Sequence, residues 1–186
     1  MVGMTVEQIG IYTVADLERE RDRDDRLRWE LLEGELVMTP APRMEHQHIQ
    51  MRLAARLLAV VDDSLNVIGA PFDVRLSDET VLQPDILVAP YRRFDQSVLS
   101  GPPLLAVEIL SPSTRRRDLM TKLDILQRAG CPHYWVIDPD DASARIWDLV
   151  HGAYVLTQHV TGDEPVRVTH PVELTFRVSE LMSPTS

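Results

Sequence analysis

The amino-acid sequence predicts a mixed α/β fold in which helices pack on a β-sheet, and three observations lead there. Short β-type apolar runs recur through the middle of the chain, two longer stretches carry the three-to-four spacing of amphipathic helices, and two-residue turn signals mark β-hairpins near both ends. A length of 186 residues suits one well-buried core and is short for two domains. The expected organisation is a single domain over residues 1–186, with a helical extension over 1–28, a core over about 29–150 and a C-terminal β extension over 151–186.

Residues 13–28 open with Thr13, a residue suited to the N-cap, and continue as a dense run of alternating charge. That pattern predicts a solvated helix with few apolar anchors. Residues 29–32 and 35–39 flank Glu33-Gly34, a tight-turn signal, and Pro40 and Pro42 end the hairpin. Ile49, Leu53, Arg56, Leu57 and Val60 define a helix over 45–61. Strand-like runs follow at 65–68, 72–76, 81–89 and 104–110. Ser111-Pro112-Ser113-Thr114 interrupts, and Thr114 caps a second helix ending near Ala129, with Gly130 at the C′ position. Residues 133–138 read as a buried strand stopped by Pro139. His151-Gly152 joins 145–150 to 153–160 as a hairpin, and 166–168, 174–176 and a short helical end complete the chain.

Composition narrows the function. An apolar share of 44% is ordinary for a globular protein and argues against wholesale disorder. A formal net charge of −10 argues against coating nucleic acid by bulk electrostatics, yet leaves room for a local basic cluster. Cys131 is the only cysteine, so an internal disulfide and a cysteine-based zinc site are both excluded, and an isolated thiol fits a reducing compartment. Residues 1–10 show no basic stretch followed by an apolar one, and no apolar run approaches the roughly 20 residues that span a bilayer. A cytoplasmic protein with no membrane partner is expected.

Of the 19 basic residues one is a lysine, Lys122, and the rest are arginines. An ammonium is a compact point charge whose pKa responds to burial, so a position that keeps it in an arginine-rich chain invites attention. Two carboxylates stand before it. Asp85 opens the apolar run Ile86-Leu87-Val88 after Pro84, and Glu108 interrupts the core strand 104–110. A charge inside an apolar strand is costly unless it is paired or metal-bound. Two carboxylates near the ends of neighbouring strands can share a hard dication such as Mg²⁺ or Mn²⁺, which polarises a phosphoryl oxygen and activates water. A nearby lysine then stabilises charge developing on phosphorus. Each residue also has an ordinary reading: Asp85 as a turn cap, Glu108 as half of a buried ion pair with an arginine, Lys122 as the i,i+4 partner of Asp118.

Pro-Asp followed about twenty residues later by a glutamate in a core strand resembles the PD-(D/E)XK nuclease superfamily, although the usual lysine position holds Leu110. Some members are understood to carry that lysine on the following helix, where Lys122 lies. At about 100° per residue, Lys122 falls roughly 60° from the centre of the stripe formed by Leu119, Leu123 and Leu126, at its edge. More narrowly, the stretches WELLEGELVMTPAPRMEHQ, QPDILV, PPLLAVEILSPST, RRRDLMTKL and GCPHYWVIDP resemble the Uma-two-type family of restriction endonuclease-like proteins over roughly residues 28–150. Leu126, Cys131 and His133 depart from that family's common pattern.

The resemblance implies a restriction-endonuclease-like core with Asp85 and Glu108 as metal ligands, Lys122 as the catalytic lysine, and Glu30 and His46 as further site residues. A histidine near a helix start, as His46 is, more often serves as a structural hydrogen-bonder than as a ligand. Arg115, Arg116 and Arg117 either hold phosphate at the helix start or form a solvated charge run. The expected activity is an Mg²⁺- or Mn²⁺-dependent endonuclease acting on DNA, with homodimerisation serving cleavage of two strands. The alternatives are a catalytically inactive nuclease-fold module that binds nucleic acid or a protein, and a hydrolase of smaller phosphoesters.

Overall fold

The computed structural model describes residues 11–23, 28–39 and 41–182. Helix α1 (Val14–Arg23) starts where expected, because the backbone N–H and hydroxyl of Thr13 both donate to Asp16 Oδ2 at 2.8 Å. Its one buried residue, Leu17, packs with Leu31 and Val81. Residues 24–27 of the expected helix, and Pro40, lie outside the described residues. Arg28 belongs instead to strand β1 (Arg28–Leu32), which pairs with β2 (Glu35–Thr39). The turn between them has Glu33 at φ 52° and Gly34 at φ 83°, two consecutive left-handed residues that match the twist of the flanking strands.

Helix α2 (Met44–Leu58) buries Ile49, Leu53 and Leu57, and ends three residues before the expected limit because Ala59–Val61 close in turn hydrogen bonds onto Ala55 and Leu57. Then come β3 (Leu65–Gly69), β4 (Asp73–Ser77), β5 (Thr80–Leu82) and β6 (Ile86–Pro90). The expected continuous strand over 81–89 is thus two strands in two different sheets. The cause is local: Pro84 has no N–H to offer a ladder, and the N–H of Gln83 goes to the Glu30 carboxylate at 2.7 Å. Asp85 sits where the chain passes from one sheet to the other.

A short turn and β7 (Val98–Ser100), which shows no alternation in the sequence, precede β8 (Leu105–Ile109). The expected second helix begins differently. After Arg115 and Arg116, residues Arg117–Lys122 are π-helical and continue as α3 (Leu123–Ala129), with Gly130 at φ 81° as the C-terminal cap. Strands β9 (His133–Asp138), β10 (Ser143–Val150) and β11 (Ala153–Thr161) follow, the last two joined through His151-Gly152 at φ 52° and 83°. The chain closes with β12 (Pro165–Val168), β13 (Leu174–Arg177) and α4 (Val178–Leu181).

The central sheet runs β11-β10-β9-β8-β6-β3, with β8 and β9 parallel and its other pairs antiparallel. A second sheet runs β2-β1-β5-β4-β7. Side-chain alternation splits the central strands between two cores. Ile86, Val88, Leu105, Val107 and Trp135 face α2 and the β12-β13 pair, while Leu87, Ala106, Tyr134 and Val136 face α3 and the second sheet. Glu108 shares the parity of Ala106, so its carboxylate points to the α3 side. No described helix is long and apolar enough to cross a membrane.

Candidate active site

A cleft of about 340 Å³ opens between the β1-β2 hairpin, the start of α2, the ends of β6 and β8, and the π-helical turn. Glu30, His46, Asp85, Glu108, Asp118 and Lys122 all line it. The structure therefore brings together the three principal residues expected from the sequence, along with the two secondary ones, Glu30 and His46.

Asp85 is positioned through both its backbone and its side chain. Its Oδ2 accepts from the backbone N–H of Ile109 at 2.8 Å and lies 3.0 Å from His46 Nε2, while its carbonyl accepts from Gln50 Nε2 at 2.7 Å. The bond from Ile109 follows from the β6–β8 pairing, Ile86 opposite Val107, which carries the two strands past one another at the cleft. His46 thus acts as a hydrogen-bonder to the carboxylate, the structural role that the sequence left open for it.

Lys122 Nζ lies 2.8 Å from Glu108 Oε1, 3.0 Å from Glu30 Oε1 and 3.6 Å from Asp118 Oδ1. The side chain is 5% exposed, reaching inward over the sheet from the edge of the apolar stripe. Lys122 closes a π-helical turn. Its i→i+5 spacing widens the helix locally, and Asp118 and Lys122 both turn inward onto the sheet. Such turns recur at functional sites. Asp118 is the site residue that sequence reasoning passed over. The signal was present in the Asp118–Lys122 spacing, but on a regular helix that spacing reads as a surface pair. In the fold it is a buried one, and Asp118 Oδ1 has no hydrogen-bond partner.

Three carboxylates, from Glu30, Glu108 and Asp118, surround one ammonium, Asp85 lines the same cleft, and all five residues are 5% exposed or less. Burial pushes the Glu108 carboxyl well above the usual carboxylate range against the pull of Lys122, and Asp118, Asp85 and Glu30 push the same way. Asp118 is raised for the same leading reason. Burial works against the Lys122 charge, yet Glu108, Glu30 and Asp118 more than offset it, and the ammonium is held well above its ordinary value. One cation cannot serve all these acids.

This excess of oxygen donors fits a hard dication. Asp85 and Glu108 are the two acids that could hold one, with the remaining positions left to water and substrate, as Mg²⁺ prefers. Among the described residues no three His, Cys, Asp or Glu side chains converge as a closed metal cage. Arg115 is bound to Asp138 at 2.5 and 2.8 Å and to Asp140 at 3.0 Å, and none of Arg115, Arg116 and Arg117 lines the cleft.

Comparison with known proteins bears on this arrangement. The Uma2 family model, described as "Putative restriction endonuclease", matches residues 14–179. A crystal structure described as a putative nuclease belonging to DUF820 from Anabaena variabilis matches with a TM-score of 0.72, covering 91% of this chain and 96% of that one. Its sequence identity is 20%, so the likeness carries the fold alone, a mixed α/β arrangement. No curated protein matches the chain.

Proposed function

This chain belongs to the Uma2 family, and from that premise we propose that it is a dication-dependent nuclease that hydrolyses DNA phosphodiester bonds in the cleft around Lys122. The observation that carries the reading is the convergence of Asp85, Glu108 and the chain's solitary lysine, with Lys122 Nζ 2.8 Å from Glu108. A bound Mg²⁺ or Mn²⁺ would supply Lewis acidity and a water of lowered pKa. The chain's own groups do the rest. Asp85, aimed by Ile109 N–H and His46, and Glu108, from β8, hold oxygens toward the cleft. Lys122 sets the position of Glu108 and offers positive charge where the phosphoryl oxygens become more negative. Glu30 and Asp118 keep Lys122 protonated throughout.

Supercoiled plasmid incubated with Mg²⁺ or Mn²⁺ tests the proposal. Asp85→Asn, Glu108→Gln and Lys122→Met should each remove cleavage, by at least about 100-fold. Cleavage that survives all three ends the proposal. A second reading, a non-catalytic nuclease-fold module, draws on the lack of a three-ligand cage among the described residues. Calorimetry with Mn²⁺ separates the two, because the nuclease requires binding that Glu108→Gln abolishes.

A further inference from the structure

We propose that Arg28 and Arg43 form a phosphate clamp at the mouth of the cleft, holding the phosphodiester backbone of the substrate; the inference rests on the nuclease reading. A cleft lined by carboxylates repels a polyanion, so cations of the protein must offset them at close range. Lys122 is committed to Glu108, Glu30 and Asp118. Arg115 is taken by Asp138 and Asp140. Elsewhere several guanidiniums are neutralised in the same way: Arg21 by Asp73, Arg75 by Asp78, Arg128 by Glu33 and Asp124. Arg52, Arg92, Arg93, Arg116, Arg117 and Arg167 have no carboxylate partner among the described residues either, but none of them lines the cleft.

Arg28 and Arg43 combine an unpaired guanidinium with a place in the cleft. Both line the cleft, and among the described residues neither is ion-paired to a carboxylate, although acids are close by. Arg28 leans on a neutral group, with its Nε 3.4 Å from Gln83 Oε1. Chain geometry aims both at the site. Arg28 precedes Glu30 by two residues on β1, so strand alternation puts the two on one face. Its cross-strand partner is Thr39, whose hydroxyl donates to Glu30 Oε2 at 3.3 Å. Arg43 precedes His46 by three residues, and its carbonyl accepts from Gln47 N–H at 3.1 Å in the turn that opens α2. Arg43 is the extended N-cap residue of α2, and both it and His46 line the cleft. The arginines therefore reach the cleft from two different elements, one beside Glu30 and one beside the His46–Asp85 pair. Both retain solvent exposure, and a planar guanidinium presents paired N–H donors to phosphate oxygens.

The test is fluorescence anisotropy with a labelled DNA duplex, Ca²⁺ replacing Mg²⁺, together with Mn²⁺ calorimetry. The double variant Arg28→Met/Arg43→Met should bind the duplex at least about tenfold more weakly, with the slope of log K against log salt reduced by about 2, one for each lost phosphate contact. Its Mn²⁺ binding should equal that of the wild type, which also shows that the cleft is folded. Arg28→Lys/Arg43→Lys should recover part of the affinity. Arg116→Ala/Arg117→Ala, which alters arginines outside the cleft, should change neither measurement. Wild-type duplex affinity and salt slope in the Met double variant would overturn the clamp while leaving the nuclease reading intact. Wild-type protein that binds Mn²⁺ but no duplex would overturn the nuclease reading itself, and the clamp with it.

Discussion

Replacing Lys122 with methionine keeps the aliphatic stem and removes the one positive charge shared by Glu30, Glu108 and Asp118. All three acids are 3% exposed or less and lie within 3.6 Å of the ammonium. Breaking a buried pair by deleting one partner costs about 3–5 kcal/mol, because a charge is left in the interior without compensation. Three acids are stranded here, but proton uptake limits the loss, so the same range applies. For a chain of this size, 1 kcal/mol moves the thermal midpoint by about 2–4 °C, and the expected drop is roughly 6–20 °C. The pH trend separates this cause from simple repacking. The wild-type contribution of Lys122, whose folded pKa is raised above its ordinary 10.5, is fully present below that value and is lost only as pH rises through the folded one. It is constant between pH 5 and 9, so any trend in the difference comes from the acids, Glu108 and Asp118, which are raised in the wild type and lose the opposing pull of Lys122 in the variant. The deficit should be smallest at the acid end of that range, where proton uptake by Glu108 and Asp118 is most favourable, and grow toward pH 8. Differential scanning calorimetry in EDTA reads both effects. A variant that melts with the wild type at pH 8, or a deficit that does not change with pH, refutes the reasoning.

Further expectations follow from the same geometry. Glu108 and Asp118 have raised folded pKa values, so their contribution is complete below the ordinary carboxylate range and is lost as pH rises through the folded values. Metal-free urea midpoints should decline across that window, and Glu108→Gln should flatten the decline; an unchanged slope would contradict the assignment. His46→Ala removes the group 3.0 Å from Asp85 Oδ2 and should weaken Mn²⁺ binding about 10- to 100-fold in calorimetry, with little change in melting temperature. The Cys131 thiol, buried and pushed up to about 11, should react with iodoacetamide only at the rate of global unfolding measured by hydrogen exchange; fast labelling of native protein would show the site to be open.

Much of the fold can be read from local chemistry. Glu33-Gly34 and His151-Gly152 are turn pairs whose positive φ values the structure reproduces, and His133–Asp138 is bounded by Pro139 as its sequence indicates. The passage over residues 81–89 is not legible in the same way, because the break depends on Glu30, more than fifty residues earlier, capturing the Gln83 N–H. The same distinction governs the site. Asp85, Glu108 and Lys122 stand out by residue type against their surroundings. Asp118 does not, since a regular helix wheel assigns it to the surface, and the π-helical turn that buries it leaves no mark in apolar periodicity. Arg28 and Arg43 are hidden for a related reason. One arginine among many carries no signal until the ion pairs of the others are known.

Asp85 lies at the point where one sheet hands the chain to the other, and its backbone carbonyl receives both Gln50 of α2 and the N–H of Ala70 beyond β3. Its carboxylate is therefore fixed by the scaffold itself. Ligand capture at this carboxylate requires no segment to become ordered, so little of the intrinsic affinity is spent on conformational entropy. The cost appears elsewhere. Any substitution that lets the two sheets slide will be felt first at this oxygen, well before the protein loses its fold.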